Sequence, residues 1–501
     1  MPNTIIIRLA TFACFLACAA TDATALAQSP EVGTIQEGVK QPSTDDRPRP
    51  TPLTRPEMKL LLEDMKNRRQ RIPLPAGADK SMTYEARLGQ LFLPASVSLR
   101  SYLNFSGSSQ ARSSQTGGTS NSNRPVQEPD PTLTLEYAFK TRLFWIASRA
   151  NNCQYCLGHQ ESKLLAVGMN DDRIAALDSD WIAFPPEEQV AFALARRLTL
   201  EPHALRDADI DQCRKHYSEL QILEMILSVA GNNAINRWKE GIGVPQSSGG
   251  GNFGASTRPS PTALSHSYLT DTSEIFRLAR SKVIAQQNPS EAARMATVRS
   301  IDRNAEVVSI EKGLALCATR KSRLPMVSHQ RTKEILGELV ADMDVERLPG
   351  WMRLLANFPI AGKRQVAGFL ATETELELSP RLRAEMAWII ARQNGAWYSL
   401  SAAEQRLIDL GIDGHEIVIL DQSLPDASSQ FASSDPELAL LVVARNLAAS
   451  PVILTDRQVD RAVKLAGPRA VVQTVHYTAM RSLMDRFTEA AALPSDPVTS
   501  P

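Results

Sequence analysis

Leu143-Phe144-Trp145-Ile146-Ala147-Ser148-Arg149-Ala150-Asn151-Asn152-Cys153-Gln154-Tyr155-Cys156-Leu157-Gly158-His159 is the stretch from which the rest of the chain is read. It starts as an apolar helical run and leads into Leu164-Leu165-Ala166-Val167, a second one. Between the two runs lie two thiols and an imidazole.

Much of this frame occurs twice. With Trp145 set on Trp388, a shift of 243 residues, Ile146 meets Ile389, Arg149 meets Arg392 and Asn151 meets Asn394. Tyr155, Leu157 and Glu161 meet Tyr398, Leu400 and Glu404. Further along the shift becomes 249, with Ala195-Arg196 on Ala444-Arg445 and Asn236-Arg237-Trp238 on Asp485-Arg486-Phe487. A register held this long implies two copies of one unit. The copies part where chemistry would sit: Cys153 meets Ala396, Cys156 meets Ser399 and His159 meets Ala402. Packing residues persist while the reactive ones do not, which singles out Cys153, Cys156 and His159.

Composition sets the class. Aromatics are 6% and charged residues 22% of 501 residues, with many Ala, Leu and Arg, so helices are favoured over sheets and the expected fold is all-α. Basic and acidic residues balance at 55 each, which gives no reason to expect nucleic acid or an anionic membrane surface as partner. No segment beyond the N-terminus is long and apolar enough to span a bilayer.

The expected organisation follows the chain. Residues 1–27 read as an export signal, with Arg8 ahead of an apolar run and Ala25-Leu26-Ala27 as the cleavage pattern, so a periplasmic or secreted location is expected. A lipoprotein at Cys18 is the weaker alternative, because Phe15-Leu16-Ala17 lacks the usual leucine. Residues 28–53 form a tether and 54–245 the first unit, with a Ser/Gly/Asn-rich insertion at 106–131. A linker at 246–262, connecting helices at 263–345, the second unit at 346–493 and a tail at 494–501 complete it. Within the first unit, helices are expected over Arg55–Arg71, Tyr84–Phe105 with a break near Pro94, Thr132–Ala150, Glu187–Leu200 and Asp207–Trp238.

Cys-x-x-Cys at a helix start brings two sulfurs within bridging reach, and the positive end of the helix dipole favours a thiolate. His159, three residues past Cys156, falls on the same helix face and can take or hold a proton there. Three readings compete: redox catalysis, a structural zinc site with no obvious fourth ligand, and an inert disulfide or buried thiol pair.

The segment Leu143–Leu165, with the helices from Glu187 to Trp238, resembles the carboxymuconolactone decarboxylase / alkylhydroperoxidase D-like family. The resemblance covers about 84–245 and, in degenerate form, about 348–493. It implies two tandem helical-bundle domains, homo-oligomer formation, and thiol-dependent reduction of a hydroperoxide. It also implies Cys156 as the peroxidatic and Cys153 as the resolving cysteine, with His159 in proton transfer. No cofactor is implied beyond an external reductant, either a disulfide-reducing protein or a small thiol. A non-peroxidase thiol–disulfide exchange or scaffold protein of the same fold is the alternative. Two positions depart from the family pattern. Gln160 stands where its histidine is expected, one residue past His159, and Thr141 stands where its proton-relay glutamate is expected. Glu161 is the nearby candidate for that relay.

The remaining reactive residue types read as structural. Cys213 lies in a polar helix and Cys317 in an apolar one, either paired with each other or packed as thiols. His203, His216, His266, His329, His415 and His476 show no metal-ligand spacing. Trp145 and Trp388 read as core, and Arg149, Arg392, Asn151 and Asn394 as hydrogen-bonding residues of the fold.

Overall fold

A computed structural model describes residues 47–79, 81–107, 130–246, 268–269, 272–284, 303–418, 420, 424 and 433–496. The export signal, most of the tether, nearly all of the insertion and linker, and the end of the tail lie outside the described residues. Among the described residues every regular element is helical, and the sole bridge is an isolated antiparallel one between Thr54 and Arg280. None of the described helices is long and apolar enough to cross a membrane.

The first unit is built on Tyr137–Ala150, Gln154–Ala166, Pro186–Leu200 and Glu219–Ile242. Leu143, Trp145, Ile146 and Ala147 are fully buried, so the opening run is a core helix on nearly all sides. Burying one tryptophan removes roughly 150–250 Å² from water, worth about 4–6 kcal/mol. The long Glu219–Ile242 helix starts at Ser218, whose hydroxyl accepts from Gln221 N–H (3.3 Å), and stops at Gly243 in the left-handed region (φ 70°).

The second unit repeats these elements. Pro380–Asn394 and Trp397–Asp409 match the first pair of helices at the shift of 243. The turn between them matches in detail. Asn152 has φ 57° and Gly395 has φ 65°, both left-handed, as asparagine and glycine tolerate. Cys153 N–H donates to Ser148 O (2.9 Å) and Ala396 N–H to Ala391 O (2.8 Å). At the shift of 249, Pro436–Ala448 matches Pro186–Leu200. Asp456–Ala490 is interrupted at Gly467 (φ 82°), ahead of Pro468, so its C-terminal part matches Glu219–Ile242. The positive φ of Gly243 recurs at Ala492 (φ 50°).

The two long helices form the most extensive helix–helix contact among the described residues. Two arginines one repeat apart reach across it. Arg237 Nη2 donates to Ala448 O (2.7 Å) and Ser450 Oγ (2.8 Å). Arg486 Nη2 donates to Thr199 O (3.0 Å) and the same Ser450 Oγ (3.0 Å). Thr199 and Ala448 are themselves one repeat apart, so each unit gives the other the same bond, as across a two-fold axis.

Several sequence-based helix bounds are corrected. The first helix ends at Asp64 with a 3₁₀ turn over Met65–Asn67, short of Arg71. Arg68 and Arg71 turn instead to Glu240, Arg68 Nη2 lying 2.9 Å from its carboxylate and Arg71 Nη1 2.6 Å from its carbonyl oxygen. The next stretch is the helix Tyr84–Phe92 and a 3₁₀ turn over Leu99–Leu103. The helix expected from Thr132 begins at Tyr137, because the Glu224 carboxylate accepts from Thr134 N–H (2.8 Å) and Leu135 N–H (3.1 Å) just before it. The stretch from Asp207 divides into Asp207–Arg214 and Glu219–Ile242.

Cys213 and Cys317 are separate free thiols, both buried, so they do not pair. Burial pushes their pKa values up to about 12 and about 11. His476 is a core histidine. Its Nδ1 lies 2.6 Å from Tyr102 Oη and its Nε2 3.1 Å from Thr372 Oγ1. Burial lowers its pKa from 6.5 to about 3. The unfolded chain therefore binds a proton below pH ~6.5 that the folded chain does not. Stability is expected to fall by up to about 1.4 kcal/mol per pH unit from this residue as the pH drops from ~6 towards 3. Urea unfolding midpoints at pH 7 and pH 5 check this, since His476→Gln should flatten the difference.

Candidate redox site

The cysteine pair sits where one core helix ends and the next begins. Asn151 caps the Tyr137–Ala150 helix, Asn152 turns the chain through the left-handed region, and Cys153 is the N-cap of Gln154–Ala166. Cys156 is then the third residue of that helix, among its free N–H groups. The two cysteines form a disulfide, with Cα atoms 5.3 Å apart. Both are buried, Cys153 at 0% and Cys156 at 3% exposure, so a reactant needs local opening to reach either sulfur.

The segment Arg49–Pro52 lies over this turn. Asn152 Nδ2 donates to Arg49 O (3.3 Å) and Pro50 O (3.1 Å), Gln154 Nε2 to Pro50 O (3.4 Å), and Arg149 Nη2 to Pro52 O (2.6 Å). Arg149 Nε also pairs with Asp178 (3.0 Å). Asn151 is held from the other side: its Nδ2 donates to Asn233 Oδ1 (2.7 Å) and Asn236 Oδ1 (2.9 Å). In the second unit Asn394 Nδ2 donates to Asp485 Oδ2 (2.7 Å), so both asparagines hydrogen-bond their own long helix.

His159 is half-buried and lies along Tyr155, with ring centroids 6.3 Å apart and planes 18° apart. Lys239 Nζ stands 4.3 Å from the other ring partner, the Tyr155 centroid, and pairs with Glu85. Burial, then the charges of Lys163 and Lys239, hold the His159 imidazole well below its usual pKa, so it is neutral at pH 7. Gly158 allows a close approach from residues that follow the first unit. A Cβ there would stand 2.2 Å from Gln246 Nε2 and 2.7 Å from Tyr268 Oη.

Glu161 is buried and turned to the first helix. Both its oxygens accept from Arg55, the Nη2–Oε2 bond being 3.0 Å, and Arg55 and Lys59 each lie 3.4 Å from Asp171. Its visible work is to tie the Arg55–Asp64 helix to the cysteine helix. Thr141 Oγ1 donates back to Tyr137 O (2.8 Å) within its own helix. The structure thus brings Cys153 and Cys156 together, sets His159 against Tyr155, and engages Glu161 with Arg55.

Arg55, Lys239, Gln246, Tyr268 and the Arg49–Pro52 segment carried no local sign in the sequence of belonging here. Among the described residues no group of three or more His, Cys, Asp or Glu side chains is disposed to hold a metal ion. In comparison with known proteins, the sequence matches no protein-family model and no curated protein.

Proposed function

We propose that the chain is an exported, thiol-dependent peroxidase of the alkylhydroperoxidase D-like type, cycling through the Cys153–Cys156 disulfide. The observation that carries the reading is the contrast between two matching turns. The backbone of Asn151–Cys156 recurs at Asn394–Ser399, yet the disulfide of the first is replaced by Ala396 and Ser399 in the second. A fold that needs this turn but not its sulfurs leaves the sulfurs free for chemistry.

In the reduced enzyme the Cys156 thiolate attacks the terminal oxygen of a hydroperoxide. An S–O bond forms, the O–O bond breaks, and the alkoxide leaves as an alcohol after taking a proton. Cys153 then attacks the sulfenic sulfur, forming the disulfide and releasing water. An external dithiol reopens the bond by exchange and is itself oxidised. His159, neutral and weakly basic, passes the thiol proton on to the alkoxide rather than keeping it. The burial of both sulfurs favours a small hydroperoxide over a folded disulfide partner.

The test is mass spectrometry of the reduced full chain after a substoichiometric pulse of hydroperoxide. A sulfenic acid at Cys156 that converts to the disulfide is expected. A thiol–disulfide exchange protein would show no such species, and its appearance at neither cysteine would end the peroxidase reading. The depressed pKa of His159 adds a second expectation. Loss of activity through its protonation is displaced to well below pH 6.5, so a rate profile between pH 8 and 6 should show no histidine inflection. An inflection near 6.5 that vanishes in His159→Gln would contradict it.

A further inference from the structure

The second unit has lost the cysteines but supplies a contact that the first cannot make alone. Ser450 Oγ donates to Asn151 Oδ1 (2.8 Å), and Val452 N–H donates to Asn151 O (3.2 Å). Asn151 is the last residue before the left-handed turn into Cys153. Ser450 itself is placed by both arginines that cross between the units, Arg237 and Arg486. The arrangement is not symmetric in sequence. One repeat before Ser450 stands Glu201, and one repeat before Val452 stands His203. The serine lies on the side that serves the cysteine turn.

We infer that Ser450 is a positioning residue for the redox disulfide, so that the degenerate unit acts as a built-in partner holding the cysteine turn of the active one. This rests on the redox reading of the pair. Ser450 touches neither sulfur. It holds the N-terminal side of the turn that sets Cys153 beside Cys156: Asn151 is bound at its side chain by Ser450 and at its carbonyl by Val452 of the second unit, and by Asn233 and Asn236 of the first. A fixed turn keeps the two thiols at high effective concentration for each other and so favours the disulfide. A loosened turn disfavours it.

The experiment is the reduction potential of Cys153–Cys156 in the full chain. It is equilibrated in dithiol redox buffers and read by thiol alkylation and mass. Ser450→Ala is expected to weaken the disulfide about tenfold in its equilibrium constant, a rise of ~30 mV. Ser450→Thr, which keeps the hydroxyl, should return it to the wild-type value. Thr372→Ala, which removes a core hydrogen bond to His476 and does not touch Asn151, should leave the potential unchanged. A folded Ser450→Ala chain whose potential stays at the wild-type value overturns the inference while leaving the redox reading intact. A wild-type disulfide that no buffer opens reversibly removes the redox reading, and this inference with it. If Ser450→Ala does not fold, amide hydrogen exchange of Val452 in the unaltered chain decides. Coupling between turn and loop requires faster exchange in the reduced protein than in the oxidised one, and equal rates overturn it.

Discussion

Cys156→Ser is expected to lower steady-state peroxide reduction by at least about a hundredfold, because it removes the nucleophile of the proposed cycle. Cys153→Ser should behave differently. Its Cys156 still has a place among the free N–H groups of the helix start, so the first oxidation proceeds. What is missing is the thiol that condenses with the sulfenic acid. Stopped-flow mixing with several equivalents of hydroperoxide and an external thiol should therefore show fast consumption of one equivalent, followed by slow turnover limited by attack of the external thiol on the sulfenic acid. The two variants thus separate the roles as well as testing the activity. A burst kept in Cys156→Ser and lost in Cys153→Ser would exchange the assignments, and wild-type rates in both would dispose of the cycle.

How much of this was legible in the sequence follows the range of the interactions. The turn around Cys153 is local: Asn151, the helix start and the 243-residue register could be read from neighbouring residues, and the backbone recurs at Asn394–Ser399 as that register implies. Helix starts set from afar were misjudged, as where Glu224 takes up the N–H groups of Thr134 and Leu135. Cys213 looked polar from its neighbours, yet it lies three residues past Ile210 on the same buried face. The burial of the disulfide was not legible at all. The turn that carries it is met by Arg49 and Pro50, more than 100 positions away in sequence, which accept from Asn152 through main-chain oxygens. A carbonyl carries no side-chain signature, so no residue pattern announces such a contact. Glu161 illustrates the same limit. Its place on the cysteine helix was readable, but its partner Arg55, 106 positions earlier, was not.

The crossing arginines carry the second large expectation. Arg237 is fully buried, and its donors go to Ala448 O, Ser450 Oγ and its own helix at Asn233 O (3.2 Å). Burial, then the charge of Arg486, lowers its pKa, and these acceptors offset that desolvation. Arg237→Ala removes the donors from buried acceptors and leaves the volume empty, so a loss of about 3–5 kcal/mol is expected. With the two units melting together, a cooperative unit of roughly 350–400 residues, that amounts to roughly 4–7 °C in midpoint. Arg237→Met should cost less, because it fills the space and removes a buried charge that faces a like charge. Arg486→Ala offers the internal comparison, since it makes the same bond one repeat away and shares Ser450 as acceptor. The double variant should therefore fall short of the sum of the singles, because the second loss acts on a contact the first has already loosened. Thermal unfolding followed by circular dichroism gives all four midpoints. If the two units hold each other through this pair, the wild-type chain melts in one transition and the variants separate it into two. Strict additivity, with an unchanged single transition, would mean that the units are joined by apolar packing of the long helices and not by the arginine exchange.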